Sequence, residues 1–167
     1  AHNNLGIVYL DINKLDKAIE HFELAISYKK NFAEAHNNLG SCLQKLGQLE
    51  RSLNSYKLAI SIKENYAQAH NNLGILCQKL GRIDAAFESY EKAIFSDPTY
   101  AEAHHNLSSL KKYSANDPQI LQMQSLYTSS ELSQSNKIYL CFAMAKVYED
   151  LGVKEELFKF LNEGNKL

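Results

Sequence analysis

The hexapeptide AHNNLG begins the chain, and copies of it begin at Ala35, at Ala69 and, as AHHNLS, at Ala103, so one motif recurs every 34 residues. A fixed period of this length means that one supersecondary unit is used repeatedly. The agreement extends beyond the motif. Leu5, Leu39, Leu73 and Leu107 share one slot, and Gly6, Gly40, Gly74 and Ser108 the next. Later in the unit, Ala18, Ser52 and Ala86 coincide, then Phe22, Tyr56 and Tyr90, then Ala25, Ala59 and Ala93. Within NNLGSCLQKLG the apolar Leu39, Cys42, Leu43 and Leu46 return at three- and four-residue steps, which is one face of a helix. LERSLNSYKLAISI repeats the pattern with Leu49, Leu53, Tyr56 and Ile60. Gly47 and Gly81 separate the two helical patterns, with Asn13 in the same slot of the first unit. Glycine turns the chain there without steric penalty. Each unit is therefore expected to be a helical hairpin. One hairpin cannot cover its own apolar face, so neighbours must stack into an all-α solenoid of antiparallel helix pairs.

The period and the alternation of small and large residues resemble the tetratricopeptide repeat family. His2, His36, His70 and His104 stand where that family often carries tryptophan. The resemblance runs strongly from Ala1 to Tyr113. It implies a right-handed superhelix whose first helices line a concave groove. Units fall at 1–32, 33–66 and 67–100, with the first helix of a fourth over 101–113. Asp117 as a helix cap and Pro118 in the first turn then open a shortened helix. With a polar connector it fills 114–132, and a diverged fifth helical pair occupies 133–167. The chain opens within the motif and without methionine, so it is expected to be a fragment of a longer one. Exposed solenoid ends are expected to permit homo-association.

With 18 basic and 19 acidic residues, the net charge is −1. That balance gives no electrostatic reason for a nucleic acid or an anionic membrane as partner. No apolar run reaches the ~18 residues of a membrane span. Cys42, Cys77 and Cys141 fall among apolar residues without metal-ligand spacing, as expected of small buried hydrophobes in a reducing, cytoplasmic setting. Equivalent positions of stacked helices lie ~8–10 Å apart, whereas zinc holds each ligand at ~2 Å. The recurring histidines are therefore expected to be packing rings, and no metal or cofactor site is expected. No phosphate-binding glycine loop or nucleophile elbow occurs, so no catalytic residue is assigned and the fragment is expected to be no enzyme.

The asparagines carry the functional expectation. Asn3 and Asn4, Asn37 and Asn38, Asn71 and Asn72, then Asn106, precede the recurring leucine, in places where asparagine is a mediocre helix former. A carboxamide both donates and accepts, so a column of them can pair with the backbone of an extended peptide. One per unit is expected to point into the groove, in the column Asn4, Asn38, Asn72 and Asn106, which resembles in phase the asparagine ladder in the tetratricopeptide portion of O-linked N-acetylglucosamine transferases. Ser41, Gln44, Lys45, Gln78, Lys79 and Lys112 are expected on the same wall. The clamp for acidic chaperone tails is a poor match. It needs lysines and an arginine where this chain has Asn37, Ser41, Gln68 and Asn72.

The segments NLSSLKKYSANDPQILQMQSLY and CFAMAKVYEDLGVKEELFKFLNEGNKL resemble the region joining repeats to catalytic domain in bacterial tetratricopeptide-containing sulfotransferases. That resemblance implies a following domain that binds phosphoadenosine phosphosulfate. The expected function is a scaffold that holds a protein or peptide segment in an asparagine-lined groove. The alternatives are the substrate-presenting arm of a sulfotransferase or, more remotely, of a glycosyltransferase.

Overall fold

Ten α-helices and no strand make up the described residues of the computed structural model, 1–130 and 132–167. In chain order they are α1 (His2–Asp11), α2 (Leu15–Tyr28), α3 (Ala33–Lys45), α4 (Leu49–Ile62) and α5 (Ala67–Lys79). Then come α6 (Ile83–Ser96), α7 (Ala101–Ser108), α8 (Pro118–Tyr127), α9 (Gln134–Asp150) and α10 (Lys154–Lys166). The chain divides into two compact units, Ala1–Ala86 and Phe87–Leu167, and the division falls inside α6.

In the first unit, the turn that closes each hairpin is the same device. Gly47 and Gly81 have φ of 76° and 72°, and Asn13 takes the same left-handed conformation at 56°. The following residue donates back across the turn: Lys14 N–H to the Tyr9 carbonyl, Gln48 N–H to Leu43 and Arg82 N–H to Cys77. These six-to-one bonds satisfy carbonyls that the helix end leaves open. Aromatic rings of the second helices then press on the glycines of the first. A Cβ on Gly6 would lie 2.6 Å from the Phe22 ring, and one on Gly40 2.7 Å from Tyr56. Ser52 donates its hydroxyl to the Gly40 carbonyl at 2.8 Å, closing the same contact. Ala18, Phe22, Leu39, Cys42 and Leu43 form the buried core between the first two hairpins.

The histidines do more than pack. His36 Nε2 bonds the Lys30 carbonyl at 3.2 Å and His70 Nε2 bonds Glu64 at 2.8 Å. His104 of the second unit repeats this with Pro98 at 2.9 Å. Each ring reaches six residues back and ties its helix to the loop before it. His2 instead stacks on His21 and Tyr28.

The second unit keeps the hairpin device at Gly152 (φ 71°), where Val153 N–H reaches the Tyr148 carbonyl. Its core joins Ile120 and Met123 of α8, Leu140, Met144 and Val147 of α9, and Phe160 of α10. Asp117 caps α8, accepting from Gln119 N–H, with Pro118 in the first turn. Of the polar connector, Glu131 lies outside the described residues.

The first helix of the fourth unit, expected over 101–113, ends at Ser108. No glycine stands in its turn slot, and Ser108 and Ser109 turn their hydroxyls onto the carbonyls of His105 and Asn106. The chain then leaves the helix so that Tyr113 is buried, its N–H on Asp150 Oδ2 at 3.1 Å and its hydroxyl on Gln119 Oε1 at 3.0 Å. Gln119 in turn donates from Nε2 to His104 Nδ1 at 3.3 Å. The fully buried His104 thus uses both ring nitrogens in one neutral tautomer, Nε2–H toward Pro98 and Nδ1 as acceptor.

Two predictions follow from these contacts. Ala is the better helix former by ~1 kcal/mol, yet Gly40→Ala should destabilise the chain by about 1–3 kcal/mol in urea denaturation, because the added methyl overpacks against Tyr56. Unchanged or higher stability would mean that the ring does not rest on the glycine. The second concerns pH. Burial lowers the pKa of His104, against the opposing Pro98 bond and the nearby Asp97. His105 is lowered by burial too, against Glu102. As pH falls through the ordinary histidine range, near 6.5, the unfolded chain takes up protons that these rings resist, so folding stability falls. Unfolding free energy should decline between about pH 7 and pH 5, and His104→Gln should flatten the decline. Asp150 and Glu163 are held below their ordinary values, so their contributions disappear only at lower pH. A flat profile across the histidine window would contradict the buried neutral ring.

Candidate functional site

The asparagine pairs of the first unit separate into two columns with different neighbours. Asn38 Nδ2 donates to Asn3 Oδ1 at 3.2 Å, and Asn72 Nδ2 donates to Asn37 Oδ1 at 3.0 Å. The second asparagine of each pair therefore reaches back to the first asparagine of the preceding repeat. These bonds run between first helices, from α3 to α1 and from α5 to α3. Asn37 and Asn71 are 1% and 0% exposed. This corrects the expectation that both line a groove wall: a buried carboxamide presents no surface to a ligand. The reason is geometric. A helix turns ~100° per residue, so adjacent asparagines point to different faces, and on α3 and α5 the first of each pair takes the inward one. Asn38 and Asn72 are half-buried, Asn3 is half-buried as an acceptor, and Asn4 is exposed.

A recess of about 230 Å³ opens beside this ladder, lined by Ser41, Gln44 and Lys45 of α3, Tyr56 of α4, and Asn72, Ile75 and Lys79 of α5. It brings together Ser41, Gln44, Lys45, Asn72 and Lys79 from the residues expected on the wall. Tyr56 and Ile75 had not been expected there. Tyr56 was legible only as a core ring; the buried side chain also borders the recess, where its hydroxyl donates to Gln44 Oε1 at 3.0 Å. Burial pushes the Tyr56 hydroxyl well above the usual phenol range, so it acts as a neutral donor at physiological pH. Gln78 is half-buried and does not line the recess.

Asn106 and Lys112 belong to the second unit. Asn106 is half-buried on α7, and its backbone carbonyl accepts the Ser109 hydroxyl. Lys112 lies beyond the end of that helix, is exposed, and contributes to holding the Asp150 carboxylate ionised. Because α7 stops at Ser108, Lys112 is not on a first helix, contrary to the expectation drawn from the period. At His105, which takes the slot of Asn3, Asn37 and Asn71, the ring packs against Tyr139 and Phe142 of α9.

Among the described residues, no group of three or more His, Cys, Asp or Glu side chains could hold a metal ion. No helix there is long and apolar enough to cross a membrane. The three cysteines are buried and free, and burial raises Cys42 and Cys141 to about 11. Thiols so placed are not activated as nucleophiles.

Residues 31–94 match a family model described as tetratricopeptide repeat, and residues 6–47 match one described as TPR repeat. No curated protein matches the chain in sequence. Among solved structures, the chain is similar to the crystal structure of MamA, with a TM-score of 0.61 and 22% identity over 99% of this chain and 75% of that one. A second MamA crystal structure gives a TM-score of 0.66 at 20% identity, over 99% and 88% of the two chains. The first TPR of Spaghetti (RPAP3), bound to the HSP90 peptide SRMEEVD, gives 0.63 at 20% identity, over 65% of this chain and 86% of that one. At such identities the likeness is one of fold. Together the two repeat models cover residues 6–94, more than half of the chain, which belongs to the tetratricopeptide repeat family.

Proposed function

We propose that this chain is a non-catalytic scaffold module that binds an extended segment of a partner protein across the recess between α3 and α5. The observation that carries this reading is the recess itself. It is open, of side-chain size, and offers convergent polar groups on rigid helices around one apolar residue, Ile75. An extended peptide suits such a surface because its unpaired backbone groups need partners and its side chains need a shaped hollow. The TPR of Spaghetti (RPAP3) bound to an HSP90 peptide supports peptide binding as a use of this fold. The chaperone tail itself is not proposed as the ligand. At the clamp positions this chain has the buried Asn37 together with the uncharged Ser41, Gln68 and Asn72.

The test is occlusion. Ser41→Trp fills the recess from α3, whereas Ser61→Trp adds the same bulk to an exposed position of α4. Against a broad library of unstructured peptides, the unaltered chain is expected to select ligands by fluorescence anisotropy. Ser41→Trp should weaken the selected ligands by about tenfold or more with helicity unchanged, a loss of ~1.4 kcal/mol or more. Ser61→Trp should leave them intact. Equal binding by both variants would place recognition elsewhere, and a library with no ligand below ~1 mM would overturn the peptide-binding reading.

A further inference from the structure

The donor and acceptor groups around the recess are not evenly mixed, and internal hydrogen bonds decide which of them a ligand meets. Tyr56 donates to Gln44 Oε1, so the Gln44 amide turns its Nε2 donors outward. Asn72 spends Nδ2 on Asn37, which leaves its Oδ1 as the acceptor. Lys45 and Lys79, equivalent residues one repeat apart, both line the recess and both are exposed. Neither ammonium has an ion-pair partner among the described residues; the ion pairs of the first unit, Arg51–Glu23 and Arg82–Glu50, join second helices and the turn after α5 instead. On α3 and α5 the sole acidic residue is Glu34, in the first turn of α3, far along the helix from Lys45. The recess therefore offers two cations and an outward amide donor against a single amide acceptor.

We infer that the recess selects an internal acidic residue of an extended peptide, with the carboxylate between Lys45 and Lys79 and on Gln44 Nε2, and a neighbouring backbone N–H on Asn72 Oδ1. This deepens the proposed function and rests on it. The chemistry distinguishes an aspartate or glutamate side chain from its amide: glutamine adds a donor where the recess already supplies donors, and leaves both lysines without a counter-charge. The same slot on α1 carries Asp11, exposed and of opposite sign, so the row along successive first helices reads minus, plus, plus. An acidic ligand residue is thereby confined to the stretch over α3 and α5.

The test uses three synthetic peptides of one unstructured sequence, with an acetylated N-terminus and an amidated C-terminus, that differ only in a central pair of glutamates, glutamines or lysines. Binding to the full chain is read by fluorescence anisotropy at low and high salt. The glutamate peptide should bind about fivefold or more tightly than the glutamine one, the scale that two exposed ion pairs supply, and the advantage should shrink with salt. Lys45→Glu/Lys79→Glu should reverse the preference toward the lysine peptide. Asp11→Lys, a change at an exposed helix end, should extend the cationic row and tighten the glutamate peptide without depending on the fold of the double variant. Equal binding of the glutamate and glutamine peptides would overturn the acidic selection while leaving peptide binding in place. Glutamate binding that appears only with a free C-terminal carboxylate would overturn the internal site in favour of a chain end. Failure of all three peptides and of the broad library alike would remove the proposed function beneath it.

Discussion

A hydrogen bond between two asparagines, Asn72 to Asn37, holds successive first helices of this chain in register. Its copy one repeat earlier, Asn38 to Asn3, does the same for α3 and α1. Apolar stacking alone is non-directional, so it presses helices together without fixing how far one slides along the next. A buried amide that must find a partner supplies that direction, because sliding leaves Asn37 unsatisfied away from water. The recess between α3 and α5 inherits its shape from this bond. Ser41, Gln44 and Lys45 face Asn72, Ile75 and Lys79 because the ladder sets the offset between the two helices.

The bond acts within a frame built by small residues. Gly6 and Gly40 bring Phe22 and Tyr56 onto the backbone of the first helices, and Ala18, Ser52 and Ala59 let the second helices approach. Tyr56 links frame and site: its ring packs on Gly40, while its hydroxyl orients the Gln44 amide in the recess. In the second unit the pattern changes with the chemistry. His105 takes the slot of the buried asparagines and meets aromatic rings of α9, and its Nδ1 is buried without a hydrogen-bond partner. A polar chain also runs there through His104, Gln119 and Tyr113 to Asp150.

The hairpins were legible in the sequence because their determinants are local. Turns at Asn13, Gly47 and Gly81, and the apolar steps between them, need no knowledge of distant residues. The early end of α7 was not legible, since it depends on Asp150 capturing the Tyr113 N–H from 37 residues away. Nor was the bond between repeats, Asn72 to Asn37, although phase already marked Asn4, Asn38, Asn72 and Asn106 as the column expected to face the groove. Composition marks both residues alike, and helix phase against the neighbouring repeat sends Asn37 inward and leaves Asn72 at the recess. The histidines were expected to be packing rings, and their bonds to carbonyls six residues back depend on loop shapes that no periodicity encodes. The resemblance of the last third to sulfotransferase linkers rests on its quoted segments alone.

A double-mutant cycle on Asn37→Ala and Asn72→Ala, read by urea denaturation, tests the account at its centre. The single changes and the pair should show a coupling of about 0.5–1.5 kcal/mol, as expected for a partly buried hydrogen bond. Removing Asn37 alone should be the more harmful single change, because that side chain is buried. Additivity within ~0.3 kcal/mol would mean that the two amides stabilise the chain independently, and the ladder would not be what sets the register of the recess.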